Sequence, residues 1–143
     1  MRAVRRFLRL PAAERRRTLE AAATLALVRA LLAALPFARA MALLRLRGGA
    51  APGPAGTDAA AARAVARAVD RAARHLPFRA VCLPRAVASA LMLRRRGLPA
   101  EVHFGVAKDG ALVEAHAWSV SGPVTVTGGA ERPRFTPITV FRA

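Results

Sequence analysis

The chain contains a single cysteine, Cys82, among its 143 residues. One thiol cannot form an intramolecular disulfide, so the disulfide-stapled scaffolds of small secreted proteins are excluded. A reducing cytoplasm is therefore the expected compartment. The start of the chain is basic, but its apolar run comes late and has no clean cleavage site, so no signal peptide is expected.

Acidic residues are scarce. Eight Asp and Glu face 24 Lys and Arg, which gives a net charge of +16, and Lys108 is the one lysine. The Arg skew, with abundant Ala, is typical of a high-GC bacterial genome, so coding bias accounts for part of it. The charge attracts acidic partners such as a peptide, a membrane surface or a nucleic acid, but charge alone does not choose among them.

Large aromatic residues and long apolar runs are also few. Six Phe and one Trp leave a thin core for one domain. The run 21–38 is the most membrane-like segment, but Arg29 interrupts its middle and Pro36 lies near its end. Its uninterrupted halves are too short to span a bilayer, which favours a buried or amphipathic helix. Membrane association is not expected.

The first half of the chain has helical periodicity. Apolar residues recur at spacings of three and four up to Leu35, before a second short helix that ends at Gly48-Gly49. An Ala/Pro/Gly segment then follows. We therefore expect an N-terminal helical region over residues 1–49, a linker over 50–57 and a core over 58–143.

Two further helices open the core. The first begins at Thr57-Asp58 and carries four arginines on one face, which are interpreted as a solvated face or, alternatively, as a docking surface for an acidic peptide. These arginines are Arg63, Arg67, Arg71 and Arg74. The second helix begins at Cys82 and ends near Gly97.

After Pro99 the periodicity changes from about 3.6 to 2. Alternating residues predict strands over 102–107, 111–120 and 124–127, and a last short strand over 135–141. Pro133 and Pro137 are expected to limit the pairing of that last strand. Helices followed by a small antiparallel sheet indicate an α+β fold.

Cys82 and His116 are the candidate catalytic residues. Cys82 stands at a helix N-terminus, where unpaired backbone N–H groups and the helix dipole stabilise a negatively charged sulfur. His116 lies on a predicted strand and would accept the thiol proton. A lone cysteine is more often a small buried hydrophobe, and a lone histidine is more often structural. Spacing alone therefore does not establish the pair.

No cofactor or metal is expected. His75 and His103 would have to join Cys82 and His116 to form a metal site, and no closely spaced ligand pair is present. No glycine-rich phosphate-binding loop follows a predicted strand, so the sequence gives no support for a nucleotide site.

Several segments resemble the B2 proteins of lasso peptide biosynthesis, a family with a transglutaminase-like, papain-related core. The similarity covers most of the chain and is weakest in the linker. The segments that carry it are RRFLRLPAAERRRTLEA, CLPRAVASALMLRRRGLPA, FGVA, AHAW, VTVTGG and RFTPI.

The resemblance implies a truncated transglutaminase-like core and a cysteine peptidase that removes the leader from a ribosomally made precursor peptide. It places the nucleophile on Cys82 and the base on His116. It also implies two partners besides the precursor: a separate B1 leader-recognition protein, because this chain shows no such domain, and an asparagine-synthetase-like cyclase.

The orienting acid departs from the family pattern. That family usually has an acid on or just after the strand that follows the histidine strand, whereas here Val124–Thr127 contains none. Glu131 is the nearest candidate for the third catalytic residue. Glu114 shares a strand with His116, where its side chain would run parallel to the imidazole, a poor geometry for a hydrogen bond.

Two other functions are weighed against the peptidase. The missing acid motivates a non-catalytic scaffold of the same pathway, although the retained Cys82 and His116 oppose it. The charge motivates a nucleic-acid-binding module. The arginines, however, are spread over nearly every element and aromatics for base stacking are few, so nucleic acid is not the expected partner.

Overall fold

The computed structural model describes residues 1–49 and 56–143. Helices precede most of the sheet, and a single 3-10 turn, Arg132–Arg134, precedes the last strand. The elements are α1 (Arg2–Leu8), α2 (Ala12–Ala34), α3 (Phe37–Leu43), β1 (Arg47–Gly48), α4 (Ala59–Ala73), α5 (Cys82–Arg95), β2 (Glu101–Asp109), β3 (Leu112–Ser121), β4 (Val124–Thr127) and β5 (Thr136–Arg142).

The long helix α2 lies between two prolines. Pro11 occupies its N-cap, and Leu35 at its C-cap has an extended backbone because it precedes Pro36. Its inner face buries Leu25 and Val28, and α2 packs against both α4 and α5. The apolar run 21–38 is therefore a packed helix rather than a membrane span.

Helix α4 begins at a side-chain cap. Asp58 Oδ1 accepts a hydrogen bond from the Ala61 backbone N–H at 3.0 Å, which satisfies one of the unpaired donors of the first turn. Val65 and Val69 are fully buried on its inner face. On the other side, Arg71 donates to Glu14 of α2 at 3.1 Å, so one residue of the predicted arginine face joins two helices.

The five strands form one antiparallel sheet in the order β1-β5-β2-β3-β4. The long β2–β3 hairpin keeps a regular register, with His103 opposite Trp118 and Gly105 opposite His116. The last strand, β5, inserts between β1 and β2 and extends along β2 in spite of Pro137. A register shift between Phe104 and Gly105 accommodates it.

The helices cover one face of this sheet. Ser89 of α5 and Ser119 of β3 share a buried hydrogen bond of 2.6 Å. Phe37 of α3 packs edge-on against Phe104 of β2, with ring centroids 5.6 Å apart. The core therefore lies between α2, α4 and α5 on one side and the sheet on the other.

This architecture confirms the predicted α+β fold with helices followed by a small antiparallel sheet. The domain boundaries remain a prediction, and residues 50–55 of the predicted linker lie outside the described residues. One element differs from expectation: α3 ends at Leu43, Arg45 has a positive φ of 56°, and Arg47–Gly48 pairs with β5 instead of continuing the helix.

Among residues 1–49 and 56–143, no helix has the length and apolar character needed to cross a bilayer.

Candidate active site

Cys82 is the first residue of α5. Its predecessor Val81 provides no side-chain cap, in contrast to Asp58 on α4. The first-turn N–H groups of Cys82 and Leu83 therefore have no acceptor within the helix, while Pro84 has no N–H at all. Cys82 is half-buried and Val81 is exposed, so the thiol lies near the surface, beside two backbone donors with no acceptor among residues 1–49 and 56–143.

His116 lies in the middle of β3 and is nearly fully buried. Its Nε2 is 3.1 Å from the Gly128 carbonyl oxygen, and its Nδ1 is 3.4 Å from Glu131 Oε2. A carbonyl oxygen only accepts, so Nε2 carries a proton in this contact. Nδ1 donates to Glu131 when the ring is protonated. Phe135 covers the ring with its centroid 4.9 Å away.

Gly128 makes this close contact sterically feasible. Its φ is +72°, a left-handed conformation that strains residues with a side chain. A Cβ at this position would lie 2.8 Å from His116 Nε2 and 2.9 Å from the Ala117 carbonyl oxygen. Only glycine lets the segment after β4 close over the imidazole.

Trp118 stacks with two histidines. Its ring stacks on His103 at 5.6 Å and on His116 at 6.0 Å. His103 Nε2 is 2.8 Å from Glu101 Oε2, so the outer imidazole is itself held in place. The indole Nε1 is buried without a hydrogen-bond partner in the part of the chain that the structure describes. The stack fixes the plane of the His116 ring from one side.

Strand alternation places His116 and Cys82 on different sides of the sheet. Ser119 faces α5, to which it is hydrogen-bonded, and side chains alternate along the regular stretch of β3. His116, three residues earlier, therefore faces away from α5 together with Trp118. Within residues 1–49 and 56–143, no hydrogen bond joins Cys82 to His116.

Counted along the chain, the two residues are at similar distances from the Ser89–Ser119 contact. α5 is followed by β2, which begins at Glu101, opposite Val120 near the end of β3. The C-terminus of α5 therefore lies near the end of β3, and its N-terminus points toward the β2–β3 turn. Cys82 is about 10 Å before Ser89 along the helix. His116 is about 10 Å before Ser119 along the strand. β4 pairs only with Ser119–Ser121, so at His116 that edge of β3 has no β4 partner.

The site residues predicted from the sequence are thus brought together in part. The structure joins His116 to Glu131 and leaves Cys82 apart from both. Glu114 pairs with Arg134 at 3.1 Å and does not contact the imidazole, as its position on the same strand indicated. Sequence reasoning missed the Gly128 carbonyl and Phe135; the Gly128-Gly129 break was the available signal for a close approach.

A two-point ion pair joins α2 to the C-terminal end of α5. Arg96 donates to both carboxylate oxygens of Glu20, with contacts of 3.0 and 2.7 Å. This hydrogen bonding holds the pKa of the Glu20 carboxyl below its ordinary value and raises that of Arg96. Near Cys82, Arg85 is tied to Asp70 of α4 at 2.8 Å. These pairs fix the position of the helix that carries the thiol.

A family model described as the transglutaminase-like superfamily matches residues 24–140. The chain belongs to the transglutaminase-like superfamily. No curated protein and no solved structure shows a significant match.

The matched region begins within α2 and ends within β5, so it contains both Cys82 and His116. The superfamily commonly includes cysteine peptidases and transferases. Both reactions use a thiolate that attacks a carbonyl carbon, with an imidazole that moves protons. The donors at the start of α5 are suited to an oxyanion, and the Glu131 carboxylate is suited to orienting an imidazolium.

Proposed function

We propose that this chain is a cysteine peptidase that removes the leader from a lasso peptide precursor. A separate B1 leader-recognition protein presents the substrate, and an asparagine-synthetase-like cyclase acts on the product. Membership of the transglutaminase-like superfamily supports the reaction class. The resemblance of its motifs to the B2 proteins supports the substrate.

One observation carries the proposal: a lone thiol begins an uncapped helix, in a chain whose buried histidine is held by a carboxylate. In a structural cysteine the helix would gain from a capping side chain at Val81, as α4 gains from Asp58. In α5 the backbone N–H groups of Cys82 and Leu83 have no such cap. An arrangement with unused donors beside a nucleophile is suited to acyl chemistry.

In the proposed reaction His116 accepts the thiol proton, and the Cys82 sulfur attacks the scissile carbonyl carbon. The N–H groups of Cys82 and Leu83 donate to the oxygen that becomes negative. The imidazolium then protonates the leaving amine, which departs as the free core peptide. Water, deprotonated by His116, releases the leader as a carboxylic acid and restores the thiol.

This route requires the His116 ring, which faces away from α5, to reach the Cys82 side at the edge of β3 that β4 leaves free, and to exchange one of its two present contacts for the sulfur. Glu131 is the partner that can stay with the ring, because its carboxylate stabilises the imidazolium formed in the first step. The Gly128 carbonyl is the partner to be released. Glu131 is therefore proposed to orient His116 during the reaction.

Leader removal from precursor in the presence of the recognition protein tests the proposal. We expect Cys82→Ala and His116→Ala to abolish cleavage. His75→Ala is the matched histidine control, because His75 is exposed and outside the site. Circular dichroism confirms that each variant is folded. Cleavage by Cys82→Ala at the wild-type rate would overturn the proposal.

A non-catalytic scaffold of the same pathway is the second candidate. The observation that favours it is the engagement of both His116 nitrogens, which leaves no ring nitrogen directed at Cys82. Such a scaffold would bind precursor and partner without cleaving. The scaffold would be supported if immobilised Cys82→Ala retains the precursor and if leader removal in a mixture that contains this variant stays at the wild-type level.

A further inference from the structure

Helix α1 separates its charges and its apolar side chains onto opposite faces. At 100° per residue, its arginines fall within one arc of the helix and its large apolar residues fall within the opposite arc. The arginines are Arg2, Arg5 and Arg6, with Arg9 at the C-cap, and the apolar residues are Val4, Phe7 and Leu8. No acid occurs before Glu14.

Two of the three large apolar residues of α1 are exposed, while Phe7 is half-buried. The helix has no buried residue, and Val4 and Leu8 are 61% and 59% exposed. A hydrogen bond of 2.9 Å from Arg15 to the Leu8 carbonyl oxygen attaches its end to α2. A helix that exposes large aliphatic side chains in water has an unsatisfied apolar surface.

The basic face of α1 is equally unused. Among the described residues, none of its arginines forms an ion pair, and the nearest acids in sequence are engaged elsewhere. Glu14 binds Arg71 and Glu20 binds Arg95 and Arg96. Four cationic side chains therefore remain unneutralised beside the exposed aliphatic groups.

We propose that α1 binds the surface of an anionic lipid bilayer, lying in the interface with its apolar face inserted. Short basic amphipathic helices bind in this way, through buried aliphatic area together with attraction to negative headgroups. This proposal departs from the expectation that the chain does not associate with membranes; the contact is peripheral and is made by α1, not by residues 21–38.

Lipid fits the surface better than an acidic protein does. A protein partner is recognised by charges placed at defined positions, usually in paired geometry. The α1 arginines follow one face at helical spacing, and the apolar side chains opposite them are of mixed shape. A bilayer needs only charge density and aliphatic area, and it engages both faces of the helix at once.

Sedimentation with vesicles tests the proposal on the full chain. We expect binding to vesicles of phosphatidylcholine with about 30% phosphatidylglycerol, and little binding to phosphatidylcholine alone. Each arginine at the surface contributes about fivefold in affinity. Arg5→Gln/Arg6→Gln should therefore weaken binding about 25-fold. Raising the salt concentration should weaken it as well.

A charge-matched pair of variants separates α1 from the general basicity of the chain. Val4→Glu/Leu8→Glu places two acids on α1, and Leu112→Glu/Val113→Glu places two acids at the β2–β3 turn, where the side chains are 71% and 65% exposed. Only the α1 variant should lose vesicle binding. Equal binding by both variants, or no sedimentation of the wild type with anionic vesicles, would overturn the proposal. Binding of the full chain to an acidic peptide, but not to anionic vesicles, would also overturn it.

Discussion

The His116 imidazole is held by groups that come from one short segment after β4. Gly128 supplies a carbonyl, Glu131 a carboxylate and Phe135 an aromatic ring, while Trp118 closes the other side. The residues between Thr127 and Thr136 therefore determine where the ring points. Substitutions in this segment should alter the imidazole before they alter the fold.

Gly128→Ala should displace His116 and lower leader cleavage strongly. Gly110→Ala is its control, because both glycines have a positive φ, +72° and +61°, yet a Cβ at Gly110 meets nothing within 4 Å. Both variants carry about 1–2 kcal/mol of backbone strain. Unfolding in urea and a cleavage assay measure the difference. Similar losses of stability and activity in the two variants would show that the contact with His116 is unimportant.

Glu131→Gln should slow leader cleavage about tenfold, a part of the roughly 10²–10⁴-fold that acid–base catalysis contributes. The neutral amide no longer stabilises the imidazolium at 3.4 Å. Glu114→Gln is the control, because that carboxylate pairs with Arg134 on the same face of β3. Steady-state kinetics should assign the loss to kcat. An unchanged rate in Glu131→Gln would remove Glu131 from the catalytic set.

At the scale of elements, buried hydroxyl groups connect α5 to the sheet. Ser89 accepts from Ser119 at 2.6 Å, and Ser119 accepts from Thr127 of β4 at 2.9 Å, because the Ser89 proton is used elsewhere. Ser89 also donates to the Ala86 carbonyl oxygen. The chain of hydroxyls fixes the distance from α5 to both β3 and β4, and so the position of the helix that begins at Cys82.

Ser119→Ala should destabilise the protein by about 1–3 kcal/mol, because it leaves two buried hydroxyl groups without their shared partner. Ser89→Ala should cost less, since Ser119 keeps its bond to Thr127. Chemical unfolding of both variants gives the comparison. A larger loss for Ser89→Ala than for Ser119→Ala would contradict the role of Ser119 as the central member.

Most of the helices and strands could be predicted because they depend on local patterns in the sequence. The helix that begins at Cys82, the strand that contains His116 and the strand Val124–Thr127 follow from apolar periodicity and turn residues. The sequence did not predict that β5 lies between β1 and β2, or that Arg47–Gly48 pairs with it. Those contacts join residues far apart in the chain. A strand of only two residues, Arg47–Gly48, is also too short to show an alternating pattern.

The candidate site could likewise be predicted only in part. Glu131 could be named from its place after Val124–Thr127, and the structure puts its carboxylate beside His116. The face of the sheet that His116 occupies depends on which neighbouring side chain meets α5, here Ser119. Alternation along a strand gives two faces but does not say which of them the helices cover.

At the scale of the whole molecule, the few acids act as connectors in a chain of charge +16. Glu14 links α2 to α4, Glu20 links α2 to α5, and Asp70 links α4 to α5. The remaining arginines repel one another, so each of these carboxylates offsets part of that repulsion. The packing of the three core helices should therefore depend on pH.

Glu20→Gln should destabilise the protein at neutral pH by about 1–2 kcal/mol. The pKa of Glu20 in the folded protein lies below its ordinary value of 4.5. Its contribution is therefore complete above that value and is lost as pH falls through the lowered pKa. Thermal unfolding at several pH values between 7 and 3 should show the two proteins converging in acid. A difference that stays constant with pH would contradict the assignment.

The reaction of Cys82 with iodoacetamide tests most directly whether His116 activates the thiol. Because the chain has one cysteine, the mass increase reports Cys82 alone. Rates are measured from pH 5 to pH 9 for the wild type, for His116→Ala and for His75→Ala. At about pH 6 we predict that the wild type and His75→Ala react at least about tenfold faster than His116→Ala, because the imidazole removes the thiol proton. Equal rates for the wild type and His116→Ala at every pH would contradict the proposed catalytic pair.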